Sequence, residues 1–387
     1  MKYSIYLDYA AATPVDIIAK KAMEPYLTDM FYNPSAIYQP ARDVRKAVEC
    51  ARATIASVLG SKDQEIIFTA GGTEANNLAI HGIMRRFPQG NIVVSGIEHE
   101  SVLMPAKNYD CKIAKVKQNG LIDLNNLKEL IDDSTVLVSV MYANNEVGSI
   151  QPIKEIASFI AEQRIVRARN ATDSNPLPIY LHTDACQASN YLDLHVSRLC
   201  VDLMTVNGGK IYAPKQSGAL YANKSVELIP LIEGGGQELN LRSGTENVAS
   251  IIAFATILQK VQNERKVESQ RIKSLSNTLF ARLSQNIPAI IMNGDVKRRL
   301  PNNINFCIPN TDGELLTMQL DHAGLMAATG SACAASNDEP SHVLMAMGLG
   351  TDRANSSLRI TLGRQTTEDE VLAASRILTE VLSKYQD

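Results

Sequence analysis

The sequence predicts an α/β protein with a large domain on a mainly parallel sheet, followed by a smaller α+β unit. Three observations lead there. Short β-branched runs alternate with helical patterns as far as Ser250, and that alternation builds parallel sheets whose ligand sites lie at the carboxyl ends of the strands. A long helical pattern from about Val248 to Leu283 would link two units. Beyond it come one clear strand and a final helix.

In chain order, the first clear helix places Val44, Ala47, Val48, Ala51, Ile55, Val58 and Leu59 on one face and stops at Gly60. Strand-like runs follow at Ile66–Thr69, Asn91–Val94, Val136–Val140, Ile179–His182 and Asp202–Val206, each bounded by polar or glycine-rich turns. The polar, Asn/Pro-rich stretch Arg164–Pro178 reads as a surface loop. Its Asn170-Ala171-Thr172 triplet is a glycosylation sequon only formally, because nothing else in the chain indicates secretion. In the smaller unit, Asn303–Cys307 is strand-like, and the last helix opens on a Thr367…Glu370 capping box and turns Val371, Leu378, Val381 and Leu382 inward. No internal repeat or low-complexity tract interrupts this order.

Composition bounds the function. The 387 residues suggest two domains, and 45% apolar with 20% charged residues is globular composition. The net charge of -3, from 38 basic and 41 acidic residues, argues against direct nucleic-acid binding. Cys50, Cys111, Cys186, Cys200, Cys307 and Cys333 show no C-x-x-C and no regular spacing, so they read as reduced thiols. There is no apolar run of membrane-spanning length and no apolar stretch at the N-terminus. The expectation is a soluble, cytoplasmic protein without a membrane partner.

Four segments at strand ends carry chemistry. Thr69-Ala70-Gly71-Gly72-Thr73-Glu74 follows a strand and opens a helix, so backbone N–H groups and the Thr73 hydroxyl can cradle a small phosphate; an ordinary glycine-rich turn has the same composition. His182-Thr183-Asp184-Ala185-Cys186-Gln187 closes another strand, and Asp184 there can pair with a protonated ring nitrogen. Metal ligation by His182 and Asp184 is the alternative, but it lacks a third ligand nearby. Asn207-Gly208-Gly209-Lys210 puts a lysine at a strand end, where it can reach a cleft and form a Schiff base. Gly330-Ser331-Ala332-Cys333 sets a cysteine among small polar residues without apolar periodicity, a setting for a nucleophile rather than a buried thiol.

Together these segments resemble the pyridoxal-phosphate (PLP) enzymes of aminotransferase class V, specifically the NifS/IscS-type cysteine desulfurases. The resemblance runs from Tyr6-Leu7-Asp8-Tyr9-Ala10-Ala11-Ala12-Thr13-Pro14 to Ser356-Ser357-Leu358-Arg359, with Asn33-Pro34-Ser35, Glu98-His99, Asn144-Asn145-Glu146-Val147-Gly148, Gly234-Gly235-Gly236-Gln237-Glu238 and Arg242-Ser243-Gly244-Thr245 in the family's order. It implies the fold type I of PLP-dependent transferases, with a seven-stranded sheet in a large domain (14–255) and a small domain formed by 1–13 and 256–387 that carries the cysteine loop. It also implies roles. Lys210 holds PLP and moves the substrate α-proton; Asp184 keeps the pyridinium charged; His99 stacks on the ring and shares in proton transfer. Gln187 and Asn145 approach the ring hydroxyl and substrate. Gly72 and Thr73 bind the phosphate, and Thr245 contacts it from the other subunit of a homodimer. Arg359 clamps the substrate carboxylate. Cys333 takes sulfur from L-cysteine as a persulfide, leaving L-alanine, and passes it to an iron–sulfur scaffold protein or another acceptor, such as a tRNA-thiolation enzyme. No resident metal is implied, although Cys333 can transiently ligate an iron–sulfur cluster.

One departure stands out. The family usually carries Ser-Ala-His-Lys or Ser-Gly-His-Lys at the PLP lysine, whereas Asn207-Gly208-Gly209 precedes Lys210 here. Gly209 removes an imidazole that contacts the phosphate, while Asn207 keeps one side-chain group. The alternatives are another class V enzyme, such as a selenocysteine lyase or an aminotransferase, and a catalytically weakened sulfur-relay scaffold.

Overall fold

A computed structural model describes residues 4–170, 176–330 and 340–385. After β1 (Ile5–Tyr6), seven strands form the central sheet: β2 (Ile66–Thr69), β3 (Asn91–Ser95), β4 (Cys111–Ala114), β5 (Thr135–Ser139), β6 (Tyr180–Asp184), β7 (Leu203–Asn207) and β8 (Gly218–Ala222). Their order is β2-β8-β7-β6-β5-β3-β4. β8 is antiparallel to both neighbours and the other pairings are parallel. Reversing β8 alone leaves the carboxyl ends of β2 to β7 on one edge, which is where such sheets place their ligands.

Burial on both faces explains the near-continuous apolar strands. Successive residues face opposite sides. Ile66, Phe68, Val93, Val138, Leu181, Met204 and Val206 join one core. Ile67, Ile92, Val94, Leu203 and Leu220 join a second, beneath the helix Gly72–Arg86. On the first face the helix Gln39–Leu59 ends as expected at Gly60, whose φ of 65° is left-handed. A β-carbon there would lie 2.2 Å from the His195 ring, so glycine is required twice over.

The linking helix extends from Val248 to Asn286, 39 residues without glycine or proline, and is about 58 Å long at 1.5 Å per residue. Ile251, Phe254 and Leu258 near its start, and Ile272, Leu279 and Leu283 further on, belong to one continuous core with the strands of the smaller unit. That unit pairs β9 (Ile291–Met292), β10 (Asn303–Cys307) and β12 (Ser357–Thr361) antiparallel in the order β12-β10-β9. β11 (Leu325–Met326) runs parallel to β1. The final helix, Glu368–Leu382, has the expected capping box and buries Val371, Leu378, Val381 and Leu382. Among the described residues no helix is long and apolar enough to cross a membrane.

One expectation is corrected. Arg164–Asn170 is not loop but the end of the helix Ile153–Asn170. Arg164 donates to the Ile179 carbonyl, and Arg167 donates to the carbonyls of Leu177 and Asp132. Two of the polar side chains that suggested a loop, Arg164 and Arg167, are bound to neighbouring backbone.

Candidate active site

Loops from the carboxyl edge of the sheet and residues of the smaller unit enclose a cavity of about 300 Å³. After β2, Gly71 adopts φ 110°, a glycine conformation, and opens the 15-residue helix Gly72–Arg86. A β-carbon on Gly72 would come within 2.8 Å of the Cys186 sulfur. The helix start therefore meets the cavity as bare backbone, with Thr73 beside it. One turn along, Asn76 is buried and donates from Nδ2 to Asp184 Oδ2 (2.7 Å) and to Ser101 Oγ (2.9 Å).

After β3, Glu98 is fully buried. Burial and the nearby Asp184 push its carboxyl well above the ordinary range, although the Met141 N–H at 2.6 Å works the other way. The next residue, His99, lines the cavity and is the N-cap of the helix Glu100–Ala106. After β5, Asn145 lines the cavity while Asn144 Oδ1 accepts from the N–H groups of Glu146 and Val147, fixing the turn.

β6 ends in Asp184, whose Oδ1 accepts from the Cys186 N–H at 2.8 Å. His182 points away from the cavity into the core, bonded to Ser139 and Thr205; burial lowers it to about 4, so the ring stays neutral. Among the described residues no group of His, Cys, Asp or Glu is placed to hold a metal. Cys186 is a buried thiol at the cavity wall, pushed well up by burial and by Asp184, so it is a poor nucleophile.

β7 ends in Asn207, which caps the turn Gly208–Lys210 through the Gly209 N–H. Lys210 Nζ donates to the carbonyls of Ala10 (3.0 Å) and Ala11 (2.6 Å). Gln187 donates to the same Ala10 carbonyl. Between the ends of β2 and β7 lies Gly218, opposite both Thr69 and Asn207. A β-carbon on it would stand 2.8 Å from Gly71 Cα and 2.7 Å from the Val206 carbonyl.

Arg359, on β12, is 1% exposed. Its Nη2 donates to Asp8 Oδ1 at 2.7 Å and its Nη1 to the Asn145 carbonyl at 3.3 Å, while Nε is buried without an acceptor among the described residues.

The cavity thus gathers Gly72, Thr73, His99, Asn145, Asp184, Gln187, Asn207, Lys210 and Arg359. Gly209 adjoins it without lining it. Thr245 is exposed and lines a separate cleft of about 230 Å³ on the far side of the Thr69–Thr73 turn. Cys333 falls outside the described residues. Sequence reasoning missed Asp8, Asn76 and Ser101. Asn76 lies one helical turn beyond Thr73 and so faces the same way, which was the one available signal.

A helix amino terminus with bare glycine backbone, a lysine, an imidazole and a buried carboxylate thus share one cavity. The aminotransferase class-V family matches residues 5–373, and the chain belongs to that family. The family is PLP-dependent. Among its relatives, the cysteine desulfurase IscS of Dictyoglomus turgidum is 38% identical, aligned over 100% of this chain and 96% of its own length. The cysteine desulfurase IscS 1 of Archaeoglobus fulgidus is also 38% identical, over 98% and 97%. The structure of a NifS-like protein from Rickettsia africae superposes with a TM-score of 0.87 at 32% identity, covering 98% of this chain and 100% of that one. The fold is that of the NifS-like PLP-dependent proteins of fold type I, as the sequence leads one to expect.

The residues present fit the cofactor. The glycine-lined start of a 15-residue helix suits a phosphate. Asp184, held by Asn76 and a backbone N–H, suits a pyridinium nitrogen. The unmatched donor at Arg359 Nε leaves an opening for a second anion, such as an amino-acid carboxylate.

Proposed function

We propose that this protein is a cysteine desulfurase, converting L-cysteine to L-alanine while sulfur passes to Cys333. The observation that carries the reading is the convergence of Lys210, Asp184, His99 and Arg359 on one cavity. PLP, bound through Lys210, supplies an electron sink for bonds at the substrate α-carbon. Around it the chain's own groups act. Gly72, Thr73 and Asn207 hold the phosphate; Asp184 fixes the ring nitrogen; Arg359 and Asn145 orient the substrate. Lys210 Nζ takes the α-proton and returns a proton to the product. The Cys333 thiolate attacks the substrate sulfur, so a C–S bond breaks and an S–S bond forms. The electron pair of the C–S bond remains with carbon, which is protonated to the methyl group of alanine. No external oxidant or reductant enters: cysteine plus thiol gives alanine plus persulfide.

The wider assignments are part of the same proposal. The large unit spans 14–255, and the small unit (1–13 and 256–387) carries Cys333. Thr245 serves the phosphate of the other subunit of a homodimer, supported by its exposure and by its cleft behind the phosphate turn. The sulfur acceptor is an iron–sulfur scaffold protein or another thiol-bearing protein, met in the cytoplasm without direct nucleic-acid contact.

The test is release of alanine and sulfide from L-cysteine with reductant, for wild type and Cys333→Ala in parallel. Equimolar products from wild type, lost in the variant, support the reading. Alanine without sulfide, or full activity in Cys333→Ala, overturns it. Transamination surviving in Cys333→Ala identifies an aminotransferase instead.

A further inference from the structure

His99 is an unusual helix cap. Its Nδ1 accepts from the Ser101 backbone N–H at 3.0 Å. A backbone N–H can only donate, so Nδ1 carries no proton and the neutral ring must hold its proton on Nε2. Ser101 Oγ lies 2.8 Å from the same Nδ1. That hydroxyl already accepts from Asn76 Nδ2, which leaves its own proton to give to Nδ1. The direction of the Asn76 amide is fixed as well: turned over, it would set Oδ1 against the Asp184 carboxylate, which Nδ2 now meets at 2.7 Å. Three bonds of 2.7, 2.9 and 2.8 Å therefore run from Asp184 through Asn76 and Ser101 to His99.

We propose that Asn76 and Ser101 are positioning residues that lock His99 as its Nε2–H tautomer and tie its orientation to Asp184. The Nδ1 edge is sealed to the helix end, so the opposite edge, an N–H donor, is the one left to the cavity that His99 lines. An imidazolium would turn an Nδ1–H against the Ser101 N–H and strand both donors of Ser101. On this geometry His99 gives a hydrogen bond in the cavity and does not accept a proton there. Uptake of the substrate α-proton then falls to Lys210 alone. This rests on the desulfurase reading for the identity of the substrate, though not for the tautomer.

The experiment is nitrogen-15 NMR of ring-labelled, PLP-loaded enzyme at neutral pH, with the His99 signals assigned by their loss in His99→Gln. The expected result is an unprotonated Nδ1 and a protonated Nε2. An Nδ1–H tautomer or an imidazolium overturns the proposal. In kinetics on L-cysteine, Ser101→Ala should lower kcat about tenfold, the worth of one hydrogen bond, with KM little changed, and Ser101→Thr should restore it. Full kcat in Ser101→Ala overturns the positioning role. The Nε2–H tautomer in a PLP-loaded wild type that makes no alanine would support the tautomer lock while sinking the desulfurase reading, so the two fail separately.

Discussion

Replacing Arg359 by lysine keeps the charge and removes the fork. In the structure Nη2 is spent on Asp8 at 2.7 Å and Nη1 on the Asn145 carbonyl at 3.3 Å, with Nε buried and unmatched. A carboxylate entering the cavity meets Nε and competes with Asp8 for Nη2, and so gains two charge-assisted bonds in a fixed plane. One ammonium on a flexible stem can offer a single such bond while it also satisfies Asp8. The loss is then one directional charged hydrogen bond plus the poorer geometry of the other, together about 2.8 kcal/mol, or about a hundredfold. Initial-rate kinetics on L-cysteine should therefore show KM raised about a hundredfold. The visible absorbance of the PLP-loaded protein should stay unchanged, because Arg359 is assigned to the substrate and not to the cofactor. A KM within about threefold of wild type would refute the clamp; a lost cofactor band would show that Arg359 serves the cofactor instead.

Gly209→His should tighten PLP binding by about tenfold, one added phosphate hydrogen bond, measured by titrating apoprotein with PLP. The new β-carbon would meet Asn207 Oδ1 at 3.6 Å and Lys215 Cα at 3.7 Å, ordinary contacts that need no shift. Unchanged or weaker binding would show that the cavity does not accept the ring. Glu238→Gln should destabilise the fold by about 3 kcal/mol, read as a lower urea midpoint with the same slope. Glu238 holds the buried Arg52 through two bonds of 2.8 Å and also accepts from the Phe68 N–H of β2, and Arg52 would keep as its ionic partner only the exposed Glu49 at 3.3 Å. Glu98 is raised, so between the ordinary glutamate value of about 4.3 and its folded value the native state holds a proton that the unfolded chain has lost. Stability accordingly falls as pH rises through that window. Glu98→Gln, which keeps the acceptor for Met141, should flatten the melting temperature against pH above about pH 5; an unchanged slope would mean Glu98 is ionised.

The fold was largely legible because its strands are buried on both faces and read as apolar runs. β4 escaped notice since it lies at the sheet edge, where only Ala114 of Cys111–Ala114 is buried. β8, Gly218–Ala222, has two alanines and a glycine in place of a β-branched run. The site was legible wherever a glycine, histidine, aspartate or lysine stood at a strand end. It was illegible at Asn76 and Ser101, polar residues on helices that look like any solvated face until the tertiary structure buries them beside Asp184. Asp8 was visible only as part of a motif; its partner Arg359 lies at the other end of the chain.

Gly218 separates the turn that begins the Gly72 helix from the turn that carries Lys210, with its own backbone and the Asn207 side chain between them. At Gly218 the spacing of those two turns is thus a main-chain dimension, set by strand separation. Residue 209 can change identity without moving the lysine relative to the phosphate end, because a β-carbon there meets nothing nearer than 3.6 Å, whereas one at 208 would stand 2.1 Å from Ser217 Oγ. A methyl group at 218 would do what the loss of an imidazole at 209 does not: it would wedge the two halves of the cradle apart.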